Sequence, residues 1–240
     1  MRRWLNIIFM TVCSFSVFAE EYDLYLCIGQ SNMAGRGKVT KNEEKLISNC
    51  FVLDDKAEWK VAQSPLNQFS TVRKEAMTQG VGPIYGFANA VVKAFPGKKV
   101  GLVVNARGGT KIQQWQPGEK LYEEAVNRCK KAQKSGKFKA VLWHQGEGNR
   151  NYAAYKEDLV KLVEALRKEL NDPELPFIVG EIAGDAPVND KLAEFAKEVP
   201  FTAIVSSEGL TMKDKSHFDT QGQLELGTRY AKALFEMKKK

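Results

Sequence analysis

Short, apolar, largely β-branched runs alternate with amphipathic stretches from residue 22 to the end of the chain. The runs fall at 22–28, 50–53, 100–105, 138–144, 177–182 and 201–206. Several are apolar almost throughout, which suits strands covered on both faces. Helical periodicity occupies 83–95, 119–134, 152–170, a shorter stretch near 188–197, and 221–237. Pro83 reads as a first helical residue and Pro96-Gly97 as a stop. Asn171-Asp172-Pro173 closes the third helical stretch, and Thr220 or Asp219 caps the last. Strand–helix–strand units with right-handed crossovers predict a mostly parallel sheet between two helical layers, a three-layer α/β/α domain. In such sheets the active site lies beyond the carboxyl ends of the strands. The residues that follow each strand are therefore the ones to read for function.

The first nineteen residues stand outside this pattern. Arg2 and Arg3 form a basic start, an uncharged apolar run follows, and Val17 and Ala19 sit at −3 and −1 of a cleavage site before Glu20. This is the layout of a secretory signal peptide. The run is shorter than the roughly 20 residues needed to span a bilayer, and Met10-Thr11-Val12 before Cys13 is a poor lipobox. The expected organisation is a signal peptide over 1–19 and one domain over 20–240. The expected location is secreted or periplasmic after cleavage near Ala19, with no membrane anchor in the mature form.

Charge excludes less. Lys and Arg number 36 against 29 Asp and Glu, a net +7. The basic residues are dispersed, and their densest run, 128–139, reads as a solvated helix face with its exit loop. Without zinc-finger spacing or an aromatic RNA-binding motif, no nucleic-acid partner is expected. Outside the leader the cysteines are Cys27, Cys50 and Cys129. No CxxC and no His/Cys cluster has zinc spacing, so no metal is expected. Cys27 reads as a small buried hydrophobe. A Cys50–Cys129 bridge is compatible with an oxidising compartment.

Four strand-end segments are rich in residues that carry chemistry. They are Gly29-Gln30-Ser31-Asn32-Met33-Ala34-Gly35-Arg36-Gly37, Asn105-Ala106-Arg107-Gly108-Gly109-Thr110, His144-Gln145-Gly146-Glu147-Gly148-Asn149, and Asp214-Lys215-Ser216-His217. A serine hydroxyl is a poor nucleophile until a base removes its proton. The chain offers two imidazoles, His144 and His217. His217 has Asp214 three residues before it, a spacing that lets a carboxylate orient the ring and stabilise the imidazolium. His144 has no carboxylate before Glu147 and reads as a hydrogen-bonded wall of the cleft. The order Ser…Asp…His, without the second glycine of a nucleophile elbow, differs from the α/β-hydrolases. Gly35-Arg36-Gly37-Lys38 is not a phosphate loop, because Val39 stands where Ser or Thr would hold magnesium and Asn32 where the first glycine would be.

The segments GQSNMAGRG, NARGGT, WHQGEGN and DKSHFD resemble the SGNH-hydrolase superfamily, and within it the sialate O-acetylesterase-like branch, carbohydrate esterase family six. The resemblance runs from Tyr22 to about Tyr230. It implies a flavodoxin-like α/β/α sandwich and removal of O-acetyl groups from carbohydrates such as acetylated xylan or sialic acid, with no cofactor. Ser31 matches the nucleophile, His217 the base and Asp214 its partner. The resemblance places the oxyanion hole at the Ser31 N–H, the N–H of Gly109 or Gly108, and the Gln145 amide. Glu147 reads either as a supporting residue paired with Arg107 or Arg36 or as an exposed loop carboxylate. The competing reading is a non-catalytic glycan-binding protein on the same fold. Neither the acetylated sugar nor the oligomeric state is legible in the sequence.

Overall fold

The computed structural model describes residues 21–73 and 79–239. The leader expected over 1–19 lies outside the described residues. Seven strands form one sheet: β1 (Tyr22–Gly29), β2 (Ile47–Leu53), β3 (Trp59–Ala62), β4 (Lys99–Val104), β5 (Gly136–His144), β6 (Phe177–Gly180) and β7 (Thr202–Val205). Their spatial order is β3-β2-β4-β1-β5-β6-β7. All neighbours pair in parallel except β2 and β3, which are antiparallel.

β3 had no counterpart among the expected strands. It is a short edge strand whose middle residues are exposed, so it has no apolar run to show in the sequence. A side-chain turn feeds it: Asp54 Oδ1 accepts from the N–H groups of Lys56 at 2.9 Å and Glu58 at 2.8 Å.

Among the described residues six α-helices accompany the sheet: α1 (Ser31–Ala34), α2 (Pro83–Ala94), α3 (Lys120–Ala132), α4 (Tyr155–Glu169), α5 (Pro187–Glu198) and α6 (Thr220–Met237). The central strand β1 shows how the layers divide. Leu24, Leu26 and Ile28 join the core beneath α3, α4 and α5, while Tyr25 and Cys27 join the core beneath α2 and α6. All five are fully buried, and full burial of one aliphatic side chain stabilises by about 1.5–3 kcal/mol. The architecture is the expected three-layer α/β/α sandwich.

One open question is answered and one expectation is corrected. Cys50 and Cys129 are free, as is Cys27. Cys50 belongs to the core under α2 and α6 and Cys129 to the core under α3, so the sheet separates them and no bridge can form. Arg128 is not on a solvated face. It is 3% exposed, and its guanidinium donates to the carbonyls of Leu53 at 2.6 Å and Asp54 at 3.2 Å, closing the end of β2.

α6 carries its buried stripe at Gln223, Leu226, Gly227, Tyr230 and Leu234, the spacing of one helix face. It packs against α2 so closely that a Cβ on Gly227 would collide with the Pro83 carbonyl. Asp219, of the two candidate caps, is the N-cap, accepting the Gly222 N–H at 2.8 Å.

The strand order explains where the site lies. From β1 the chain crosses to β2 and β4 on one side, then to β5, β6 and β7 on the other. The carboxyl end of β1 is thus the switch point of the sheet, where a crevice opens between diverging connections.

Candidate active site

Ser31 opens α1 immediately beyond that switch point. The chain turns there because Gly29 adopts φ +140°, where a Cβ would collide with the His144 carbonyl oxygen. The next peptide N–H, of Gln30, then donates to the same carbonyl at 2.9 Å. Ser31 is left 6% exposed at the floor of the crevice.

The loop between β7 and α6 brings His217 to it. His217 Nε2 is 3.0 Å from Ser31 Oγ, and His217 Nδ1 is 2.9 Å from Asp214 Oδ2. Asp214 Oδ1 also accepts the N–H groups of Ser216 at 2.9 Å and His217 at 3.0 Å. The Ser216 N–H first, then the His217 ring and its N–H, hold the Asp214 carboxyl down to about 2, which favours its ionised form. A carboxylate on Nδ1 favours the tautomer that presents a bare Nε2 to the serine hydroxyl.

Gly108 comes from the turn after β4. It is buried, and a Cβ added there would lie 3.5 Å from Ser31 Cβ. Gly109 is exposed with φ +72°. The Arg36 guanidinium lies over Gly108, with its Nη1 donating to the Gly35 carbonyl at 2.7 Å. Burial lowers the Arg36 pKa, and the nearby charge of Asp214 opposes that shift. Arg36, Lys38, Lys213, Asp214 and His217 line one cleft. Among the described residues no group of three or more His, Cys, Asp or Glu side chains could hold a metal ion.

Gln145 is not placed as the sequence suggested. It is 0% exposed, and its Nε2 lies 2.9 Å from Asn149 Oδ1, 3.0 Å from the Thr110 carbonyl and 3.1 Å from Gln30 Oε1. Its Oε1 accepts the Tyr155 hydroxyl at 2.9 Å. An amide with two N–H bonds and three internal acceptors has no donor left for the crevice. Gln145 instead braces Gln30, whose Oε1 also accepts the Gly148 N–H at 3.2 Å.

Glu147 is likewise not paired with Arg107 or Arg36. Arg107 turns away, its Nη1 donating to the Val72 carbonyl at 2.8 Å. Glu147 accepts from Asn32 Nδ2 at 2.6 Å, with its side chain 8% exposed. Burial pushes the Glu147 carboxyl up to about 7, against the lowering effects of the hydrogen bonds and Arg150. His144 is 0% exposed rather than a cleft wall. Its Nδ1 is 3.3 Å from the Tyr230 hydroxyl, and burial holds the ring neutral, with a pKa near 3.

Sequence reading missed Asn32 and Gln223, both fully buried beside the serine. Gln223 left a signal: it is a polar residue within the apolar stripe of α6.

A buried-floor serine 3.0 Å from an imidazole that rests on a carboxylate has the layout of a serine hydrolase. The family model for carbohydrate esterases, described as sialic acid-specific acetylesterase, matches residues 21–236, and the chain belongs to that family. A probable carbohydrate esterase of Arabidopsis thaliana, At4g34215, is 34% identical over 234 residues, covering 88% of this chain and 89% of the plant protein. Its crystal structure superposes with a TM-score of 0.80 over 90% of this chain and 98% of that one, at 32% identity. NanS shares the fold at a TM-score of 0.75 and 16% identity, over 92% and 98% of the two chains. A carbohydrate acetylesterase from Xanthomonas citri does so at 0.66 and 19%, over 90% of this chain and 56% of its own.

Proposed function

We propose that this carbohydrate esterase removes O-acetyl groups from glycans through an acetyl-enzyme on Ser31, with His217 as base and Asp214 as its orienting carboxylate. The observation that carries the reading is the continuous path from Ser31 Oγ through His217 Nε2 and Nδ1 to Asp214, at 3.0 and 2.9 Å.

Ser31 Oγ attacks the acetyl carbonyl as His217 Nε2 takes its proton. The carbonyl oxygen becomes an oxyanion, which the backbone N–H groups of Ser31 and Gly108 stabilise; the nearness of Gly108 to Ser31, where an added Cβ would lie 3.5 Å from Ser31 Cβ, supports it over Gly109. Collapse breaks the ester bond, and the imidazolium proton passes to the departing sugar oxygen. Water then attacks the acetyl-enzyme, His217 takes a proton from it, and acetate leaves as Oγ is re-protonated.

The family description and the Xanthomonas citri relative support an acetyl ester, and the family description supports acetylated sialic acid as the first sugar to try. The N-terminal pattern supports export, so the mature chain should begin at Glu20 in an extracytoplasmic fraction.

The test is acetate release from O-acetylated sialic acid, acetylated xylan and p-nitrophenyl acetate, with Ser31→Ala as control. Release by the wild type and none by Ser31→Ala is expected. No release from any ester, with retained binding to a glycan, would make the chain a binding protein on an esterase fold.

A further inference from the structure

Asn32 is fully buried directly after Ser31, and its side-chain amide makes four hydrogen bonds. Nδ2 donates to Glu147 Oε1 at 2.6 Å and to the Ser216 carbonyl at 2.9 Å. Oδ1 accepts the Phe218 N–H at 3.2 Å and Gln223 Nε2 at 3.0 Å. An amide has two donor hydrogens and two acceptor lone pairs, so its capacity is filled.

Two of the four partners are the peptide groups on either side of His217. The residue next to the serine thus grips the backbone of the imidazole loop before and after the ring. The loop needs such a grip. Asp214 and Lys215 are exposed, and Phe218 is its buried anchor, meeting the His144 ring edge-on at 5.9 Å. All four partners agree on which way the amide faces, since the Ser216 carbonyl can only accept and the Phe218 N–H can only donate. Glu147 offers only acceptors when ionised, and Gln223 presents its NH2 group. If the amide were turned over, oxygen would face the Glu147 oxygen and nitrogen the Gln223 nitrogen.

We propose that Asn32 is a positioning residue that sets the register of His217 on Ser31, with Glu147 as the anchor that orients its amide. The proposal rests on the Ser31–His217 esterase reading given above. It assigns the buried acid of the third strand-end segment an action on the base through Asn32, without contact with substrate. A misplacement of about 1 Å between reacting groups lowers rates by roughly 10²-fold, and that is the scale of loss expected here.

The test uses the whole chain, p-nitrophenyl acetate, and a fluorophosphonate that labels the activated serine and counts active sites. Asn32→Ala and Asn32→Asp should each lower kcat per active site, and the rate of phosphonylation, by roughly 10²-fold, with KM within about two-fold. Asn32→Asp keeps the shape and the Oδ1 contacts while replacing the donors to Ser216 and Glu147 by a carboxylate oxygen that faces both acceptors. It decides the matter alone if Asn32→Ala does not fold. Glu147→Ala should lose rate in parallel, the Glu147→Ala/Asn32→Ala double variant should be no slower than Asn32→Ala, and Glu147→Gln should restore most of the rate. A residue that merely supported the fold would lower the melting temperature and the number of labelled sites but leave the rate per site unchanged. A rate per site within three-fold of wild type in folded Asn32→Asp would overturn the proposal. Activity surviving in Ser31→Ala would instead overturn the esterase reading on which it rests.

Discussion

One oxygen of Asp214 holds His217 at two points: Oδ1 accepts the His217 backbone N–H at 3.0 Å and stands 3.0 Å from its ring Nδ1. The carboxylate therefore fixes both where the residue sits and how its ring is turned. Three residues of separation are enough because the segment folds back on itself, with the Lys213 N–H donating to the His217 carbonyl at 2.8 Å.

Asp214→Asn should accordingly lower kcat strongly while leaving the melting temperature nearly unchanged, since the carboxylate is half exposed. Asp219, two residues after His217, should behave in the opposite way. It caps α6 through the Gly222 N–H and accepts the Thr211 hydroxyl at 2.5 Å. Asp219→Ala should cost about 1 kcal/mol of stability with kcat changed far less than in Asp214→Asn. Steady-state kinetics paired with thermal melts separates the two, and a swapped pattern would exchange their roles.

The two histidines should divide in the same manner. His217→Ala should remove nearly all activity from a protein that melts close to wild type, because its side chain is 28% exposed. His144→Ala leaves a hole beneath Phe218 and Tyr230. It should cost about 1–3 kcal/mol and retain part of the activity. Equal activity loss with equal melting temperatures would refute this division.

The alternation of strands and helices made the parallel core legible, because strands covered on both faces are written as continuous apolar runs. β3 escaped because an edge strand of four residues with an exposed middle has no such run. That Ser31, His217 and Asp214 would meet was legible for a different reason: imidazole is scarce in this chain, and strand ends are where chemistry collects. The supporting residues were not legible. Gln145 and Glu147 lie in a segment rich in glycine, and nothing in a sequence says which way a side chain turns as it leaves a strand. Both turned inward, Gln145 to Gln30 and Tyr155, Glu147 to Asn32. Arg107, assigned to Glu147 by charge alone, found a carbonyl instead.

Glu147 should make stability depend on pH. Its folded pKa of about 7 lies above the ordinary 4.5. A raised carboxyl pKa means the neutral form suits the fold. The contribution is complete below pH 4.5 and is lost as pH rises through 7, by up to about 3 kcal/mol. Glu147→Gln keeps the shape without the charge. Its melting temperature should therefore gain on wild type between pH 4.5 and 8, by up to roughly 6–12 °C for a chain of this size. His144 titrates with the opposite sign, its lowered pKa taking stability away as pH falls below 6.5; its Nε2 stands 3.9 Å from Glu147 Oε1, so the two are coupled and the difference reports Glu147 most directly above pH 6.5, where the imidazole is mostly neutral. A difference that stays flat over this range would show that Glu147 is not a buried acid.

Gln145 gives the sharpest contrast between sequence and structure. As an oxyanion donor it would lower kcat by about 10²-fold or more when removed, with no change in melting. As a brace it must lose stability too. Gln145→Ala opens a cavity and takes one partner from each of Gln30 Oε1, Asn149 Oδ1, the Thr110 carbonyl and the Tyr155 hydroxyl, while the Gly148 N–H, the Ile112 N–H and the residue 145 carbonyl still serve Gln30, Asn149 and Tyr155. Unsatisfied buried groups cost about 1–3 kcal/mol each, and relaxation recovers part of that, so a total near 2–4 kcal/mol is expected. In a chain of this size that lowers the melting temperature by roughly 5–15 °C. The rate should fall with it, because Gln30 precedes Ser31 and loses one of the two contacts that hold its side-chain oxygen. Tyr155→Phe supplies the control. It removes a hydroxyl whose one hydrogen is shared between the Gln145 carbonyl at 2.7 Å and its Oε1 at 2.9 Å and which accepts from Trp143 Nε1 at 3.1 Å, so it should lower melting in the same direction by a smaller amount. Melting unchanged in Gln145→Ala while kcat collapses would return Gln145 to the oxyanion hole, in a side-chain conformation other than the one described here.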